Sequence, residues 1–382
     1  MDRTTTTRAT YLIMTMFFLQ PLVIGGWLAL IPLIKENLGL SKGQLSIALL
    51  GAPLALLPSL QVAGRLLPRY GPRRFCMVFF PVQSVTVLLV LVAWSGPSLF
   101  AALFCLGAGI AFLEVAINVY AGRLEKRERL TIMNRCHGFW ALGLATGSAF
   151  LTLMIGTPWI GLLTLVIVSI VVGVFGARLM PQLGDDETTE APPKRKINDL
   201  PRALFFIATF MFLVTLAEGA MADWAAVYLA ERLGDANARA GVAVTIFSAF
   251  LAGGRFVGDI LKVRLGPVLQ AKVTTICAVI GLLLLVVPLP LWCAYLGFAM
   301  VGFGVSSAYP LGVSAIAALD DRYEASNIAI MATVAMGAFL VGPPLIGLVS
   351  EAYSLSIAFA TLVPGLLIAV ALTRWLRVES PK

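Results

Sequence analysis

Hydrophobic residues in this chain come in blocks of about 20, separated by short breaks of Gly, Pro and charged residues. Each block is long enough for an α-helix to cross the roughly 30 Å hydrocarbon core of a bilayer. Strands of a membrane barrel would be half as long and would alternate in polarity. The blocks predict twelve helices, at about 10–34, 43–63, 74–94, 98–121, 133–155 and 158–179, then at about 202–229, 239–261, 268–288, 291–317, 326–349 and 355–375. The first block is too long, and too punctuated by Trp and Pro, for a removable signal, so it counts as helix 1.

Composition points the same way: 59% of the 382 residues are hydrophobic and 13% are charged. A soluble fold would lack the polar side chains to cover itself. A net charge of +8 is also what nucleic-acid binding can look like, so the placement of the charges decides. With the N-terminus inside, only Lys35, Lys42, Arg232 and Arg239 of the 28 Lys and Arg residues fall on outer loops. This asymmetry is the positive-inside pattern of a multi-pass protein with both termini in the cytoplasm. The basic loop around Lys126 and Arg127 then faces anionic lipid headgroups, and nucleic acid drops out as a partner.

The outer turns at Ser95-Gly96-Pro97, Gly156-Thr157-Pro158 and Pro288 to Pro290 leave no room for a folded domain. The one sizeable connection, Pro181 to Pro201, carries Asp185-Asp186-Glu187, Pro192-Pro193 and Lys194-Arg195-Lys196, the composition of a flexible linker. The expected organisation is a six-helix bundle at 1–180, a cytoplasmic linker at 181–201 and a second six-helix bundle at 202–382. Five cysteines (Cys76, Cys105, Cys136, Cys277, Cys293) without a pairing pattern predict free thiols and no metal site. The absence of an Asn-x-Ser/Thr acceptor fits a bacterial inner membrane.

The two halves echo each other. Gly138 and Gly143 have the spacing of Gly337 and Gly342, and Arg69-Tyr70-Gly71-Pro72 matches Arg264-Leu265-Gly266-Pro267. The segment Gly64-Arg65-Leu66-Leu67-Pro68-Arg69-Tyr70-Gly71-Pro72-Arg73-Arg74 resembles the loop signature between helices 2 and 3 of the major facilitator superfamily, with Pro68 where that family usually has an aspartate. In span 4, Leu113-Glu114-Val115-Ala116-Ile117-Asn118 is similar to a stretch of the fucose permease group. Ala217-Glu218-Gly219, Gly254-Arg255-Phe256 and Val341-Gly342-Pro343-Pro344 resemble bacterial inner-membrane permeases of the MosC type. The resemblance implies an all-α membrane fold of two six-helix bundles and a secondary transporter that works as a monomer, without cofactor, on a small-molecule substrate.

Ionisable residues retained within the membrane are costly and are functional candidates by default. Glu114, with Asn118 one turn away on the same face, suits a reversible proton carrier, and the fucose permease resemblance implies that role. The rival reading is a protonated glutamate bonded between helices. Glu218, between the small residues Ala217 and Gly219, is a second candidate for protonation or for pairing with a cationic substrate. Asp223 reads as a solvated helix end. His137, the only histidine, can relay protons, bind substrate or tie off a helix end. Trp140, Tyr309 and Gln20 are candidate substrate contacts, with Pro310 expected to interrupt its helix. Trp27 and Trp224 read as interface anchors. Gly64, Arg69, Gly71 and Arg73 form the expected inner gate, and Arg255 with Asp259, four residues apart, an expected local ion pair.

These readings predict proton-coupled symport by alternating access. The runner-up is proton-coupled export, and a membrane sensor is a weaker alternative. An intramembrane enzyme is disfavoured, because one histidine and no ligand cluster supply neither a triad nor a metal set.

Overall fold

The computed structural model describes residues 2–183, 200–235, 239–319 and 323–377. The linker charges from Asp185 to Lys196, together with Arg322 and Lys382, lie outside the described residues.

In lipid, a backbone must satisfy its own N–H and C=O groups, and the apolar blocks do so as helices. The chain runs through α1 (Arg3–Asn37), α2 (Lys42–Leu49), α3 (Gly51–Tyr70), α4 (Pro72–Leu88), α5 (Gly96–Glu128), α6 (Met133–Leu153) and α7 (Pro158–Leu179). It continues through α8 (Arg202–Leu233), α9 (Val242–Val286), α10 (Leu291–Val305), α11 (Ala308–Ala317), α12 (Glu324–Ala352), α13 (Leu355–Ala360) and α14 (Leu362–Leu372). No strand occurs among the described residues.

By length and apolarity, 10 helical segments can cross a membrane. One of them, α9, has 45 residues, about twice a single span, and bends at Gly266. α6 is not in that set; Asn134, Arg135 and His137 dilute its apolar character. Dividing α9 at its bend and including α6 gives an arrangement that fits the expected twelve-helix fold.

The two Arg-x-Gly-Pro segments adopt the same backbone. Gly71 has φ 77° and ψ 153°, and Gly266 has φ 73° and ψ 160°. A positive φ of this kind favours glycine, and the proline that follows starts the next helix at a position where its missing N–H costs nothing. The sequence repeat is therefore a structural one. The interruption expected at Pro310 falls one turn earlier, at Ser306–Ser307 between α10 and α11. Pro310 has no N–H to offer the Ser306 carbonyl, so the break appears at the acceptor end of the lost bond.

Packing grades from centre to rim. The apolar window of α1 is 89% buried and that of α8 is 67%, against 28% for α12. α1 lies along α6, while α3, α4, α5 and α7 pack on one another around them. In the second half α9 packs on α10, and α8 packs on α12 and α14. Between the halves, α6 runs along α9, and α12 meets α2. Two glycines explain how closely α1 and α6 approach: a Cβ on Gly143 or Gly147 would collide with the carbonyls of Phe18 and Leu22.

Trp27 and Trp224 are not interface anchors, since their side chains are buried in the bundle at 3% and 0% exposure. The exposed tryptophans are Trp94, Trp159 and Trp292, at 81%, 50% and 65%, all near one end of the bundle. That end carries the α1–α2, α6–α7, α8–α9 and α12–α13 connections and is called distal here; the opposite end, where α1 begins, is the terminal end. Amphipathic rings at this height are what a membrane interface selects.

Candidate functional site

Midway along the seam between the halves, polar side chains from six helices converge. α5 supplies Glu114 and Asn118. Asn118 Nδ2 donates to Glu114 Oε1 at 2.8 Å and to the Glu114 carbonyl at 2.9 Å. α1 supplies Gln20, whose Nε2 donates to Glu114 Oε2 at 2.9 Å. The one-turn spacing of Glu114 and Asn118 makes the first contact. The second depends on tertiary packing, because Gln20 lies on a central, buried face of α1.

α6 adds Trp140, whose indole Nε1 donates to Gln20 Oε1 at 2.9 Å. The guanidinium of Arg255, from α9, lies over the Trp140 ring 5.8 Å from its centroid. Arg255 also donates through Nη1 to the His137 carbonyl at 3.2 Å and through Nη2 to Glu218 Oε1 on α8 at 3.1 Å. The result is a continuous chain of contacts from Asn118 and Glu114 in one half to Arg255 and Glu218 in the other. The His137 ring meets Phe17 edge-on at 5.3 Å and the Tyr309 ring of α11 at 6.1 Å. Glu114, Asn118, His137, Trp140, Glu218 and Tyr309 are all half-buried, so the cluster borders accessible space. α4 supports it from behind: Gln83 Nε2 donates to the Gln20 carbonyl at 2.7 Å, and Ser84 pairs with Ser169 at 3.1 Å.

One expected pairing is different. Arg255 bridges to Glu218 rather than to Asp259, and Asp259 accepts a hydrogen bond from Asn134 of α6. Arg255 turns inward to the buried seam with its side chain 9% exposed, whereas Asp259 is exposed one turn nearer the terminal end. Sequence spacing alone favours the i,i+4 partner, but a carboxylate already in the low-dielectric seam gains more from the cation. Asn134 and Gln83 join the site through tertiary packing. An asparagine at the start of a polar span was the available signal.

The seam differs at its two ends. At the distal end, Lys42 Nζ bridges to Glu231 at 3.0 Å, and Glu351 accepts from the Lys42 and Gly43 backbone N–H groups at 2.8 and 3.1 Å. Ser148 donates to the Gly241 carbonyl at 2.9 Å, and Thr245 to Ser148 at 3.1 Å. At the terminal end, α3 and α12 stand apart around a cleft of about 500 Å³ lined by Leu57, Gln61, Gly64, Arg65, Thr333 and Met336. Of the residues expected to gate this end, Gly64 faces open space and Gly71 makes the turn. Arg69 lies over its neighbour Tyr70 at 5.6 Å, and Arg73 donates to the Arg178 carbonyl at the end of α7. Arg69 and Arg73 thus make these contacts within their own half.

Long apolar helices closed around a polar seam define a multi-pass membrane transporter. The chain belongs to the Major Facilitator Superfamily, whose family model matches residues 13–325. It is 27% identical over 366 residues to an uncharacterised MFS-type transporter of Yersinia pestis, covering 94% of this chain and 93% of that protein. It is 25% identical over 362 residues to membrane protein MosC of Rhizobium meliloti, covering 93% and 87%. Among solved structures, a substituted form of the nucleoside transporter NupG superposes with TM-score 0.76 at 12% identity, covering 97% of this chain and 100% of that one. FucP in its outward conformation superposes with TM-score 0.65 at 15% identity, covering 96% and 98%. The last two likenesses speak to fold. The expected family, and the resemblance to the fucose permease and MosC group, hold.

Proposed function

We propose that this protein is a proton-coupled symporter of a small polar solute, working by alternating access between two six-helix bundles joined by the 181–201 linker. The observation that carries the reading is Glu114: a carboxylate in mid-membrane, bordering accessible space, held by the neutral amides of Gln20 and Asn118. Amides stabilise the charge without pinning it as a fixed cation would, so the group can take up and release a proton. Asn118, His137, Trp140, Tyr309 and Gln20 provide donors, acceptors and ring faces for the solute, and Glu218 with Arg255 a second ionisable pair on the opposite wall.

The placement of Lys and Arg supports a terminal end, with both termini, on the cytoplasmic side of a bacterial inner membrane. The open α3–α12 cleft then corresponds to an inward-facing carrier with its outer side closed. A single chain contains the whole polar seam, which supports a monomer as the working unit.

The test is purified protein in liposomes with an internal pH dye, challenged with sugars, polyols, nucleosides and amino acids in turn. The expected result is acidification of the lumen by one solute class, lost in Glu114→Gln while binding of that solute persists. Solute uptake with no proton movement, or undiminished proton movement in Glu114→Gln, would overturn the proposal.

A further inference from the structure

The chain Trp140–Gln20–Glu114 has only one consistent polarity. An indole N–H donates and cannot accept, so Gln20 must turn Oε1 toward Trp140 and Nε2 toward Glu114. Asn118 is committed as well, because its Nδ2 serves both Glu114 Oε1 and the Glu114 carbonyl. Both carboxylate oxygens are therefore met by donors, an arrangement that fits the ionised form.

We propose that Gln20 is a positioning residue that converts protonation of Glu114 into weakening of the Arg255 tether between the halves. The inference rests on the proton-carrier reading of Glu114. A proton arriving from water on Oε2 would face the Gln20 N–H, donor against donor, and no covalent bond elsewhere changes. Turning Gln20 about its side chain relieves this by offering Oε1 to the new O–H. That turn points Nε2 at the Trp140 N–H, and the indole loses its acceptor. Asn118 faces Oε1 and Gln20 faces Oε2, so for a proton on Oε2 Gln20 is the residue that yields. Its backbone stays in place, anchored through its carbonyl by Gln83.

Trp140 is the face on which Arg255 lies, and Arg255 is tied to α6 otherwise through the His137 carbonyl. A displaced indole thus removes one of these two links between the guanidinium and α6 and leaves Arg255 held by the His137 carbonyl and Glu218. Among the charged and titratable groups facing Glu114, α9 brings Arg255 and α11 brings Tyr309. His137 of α6 and Glu218 of α8 both accept from Arg255, and the His137 ring lies against Tyr309. What α1 and α4 bring are the uncharged Gln20 and Gln83. With Glu114 ionised the relay is intact and the α3–α12 cleft is open; protonation favours its closure.

The experiment is pulsed spin-label distance measurement across that cleft. Labels go on keto amino acids placed at Gln61 and Thr333, which spares the native cysteines, and the full chain is held in nanodiscs without added solute. Between about pH 9 and about pH 5, the wild type is expected to gain a short-distance population severalfold. Glu114→Gln is expected to remove the pH response. Gln20→Leu and Trp140→Phe are expected to remove it too, while still melting cooperatively; Trp140→Phe removes the donor and keeps an aromatic ring at the position over which Arg255 lies. A wild type without a shift, or a shift surviving in Glu114→Gln, would sink the proton-carrier reading itself. Silence in Glu114→Gln with a normal shift in Trp140→Phe would leave that reading standing and overturn the relay. Should Gln20→Leu fail to fold, Trp140→Phe decides.

Discussion

The two ends of the seam are built from similar residues and do opposite things. At the distal end a glycine, Gly347, brings α12 against the Ser46 side chain and the Lys42 carbonyl of α2. At the terminal end Gly64 of α3 and Gly337 of α12 have nothing within 4 Å of where a Cβ would stand. Small residues allow helices to approach, but packing is gained only where a partner has arrived. The distal glycine is in use in this conformation, and the terminal ones are vacant. Sequence spacing cannot make that distinction, since it reports where close approach is allowed and not when it occurs.

The largest effect should come from filling the occupied site. A side chain in Gly347→Val collides with Ser46 and Lys42, and overpacking of this kind costs about 3 kcal/mol. The distal end should open, the melting temperature should fall, and a reagent added from outside should reach a cysteine placed at Ser148 that is shielded in the parent. An unchanged melting temperature together with continued shielding would mean that the distal contact is looser than described.

Next is Glu351, which caps the first turn of α2 from the other half by accepting from Lys42 N and Gly43 N. A carboxylate at a helix N-terminus contributes through both the hydrogen bonds and the helix dipole. Glu351→Gln should lose stability measurably, read by thermal unfolding in detergent. Lys42→Met should lose less, about 0.5 kcal/mol. Its bridge to Glu231 is 20% and 41% exposed on the two sides, so water and salt screen it. Raising ionic strength should erase the Lys42→Met difference and leave most of the Glu351→Gln one.

Much of this architecture is legible in the sequence because the bilayer imposes a single length and a single polarity on each span. The bends at Gly71 and Gly266 were also within reach, through the shared Arg-x-Gly-Pro pattern. Glu114, Gln20, Trp140 and Arg255 could each be picked out as polar or aromatic residues in apolar surroundings. Their connections could not. Arg255 prefers Glu218, 37 positions away, over Asp259 one turn along its own helix, because tertiary burial outweighs helical adjacency. Trp224 shows the same limit: a tryptophan near a helix end resembles a belt residue until a neighbouring helix covers it.

The smallest stability effect should come from the vacant glycines, and it sharpens the comparison most. Gly64→Val and Gly337→Val each place a side chain in open space in this conformation, so the melting temperature should change by the equivalent of no more than about 0.5 kcal/mol. Alternating access requires the α3–α12 cleft to close in the other state, and the added methyls then meet the opposing helix. Each variant should therefore be folded and as stable as the parent, yet deficient in the short-distance population across Gln61 and Thr333. The double variant should be more deficient than either single one, because Gly64 lines the cleft and Gly337 follows its lining residue Met336 with open space at its own Cβ position. If both variants close as readily as the parent, the terminal glycines are packing spacers without a role in the cycle, and closure must use a different face of α3.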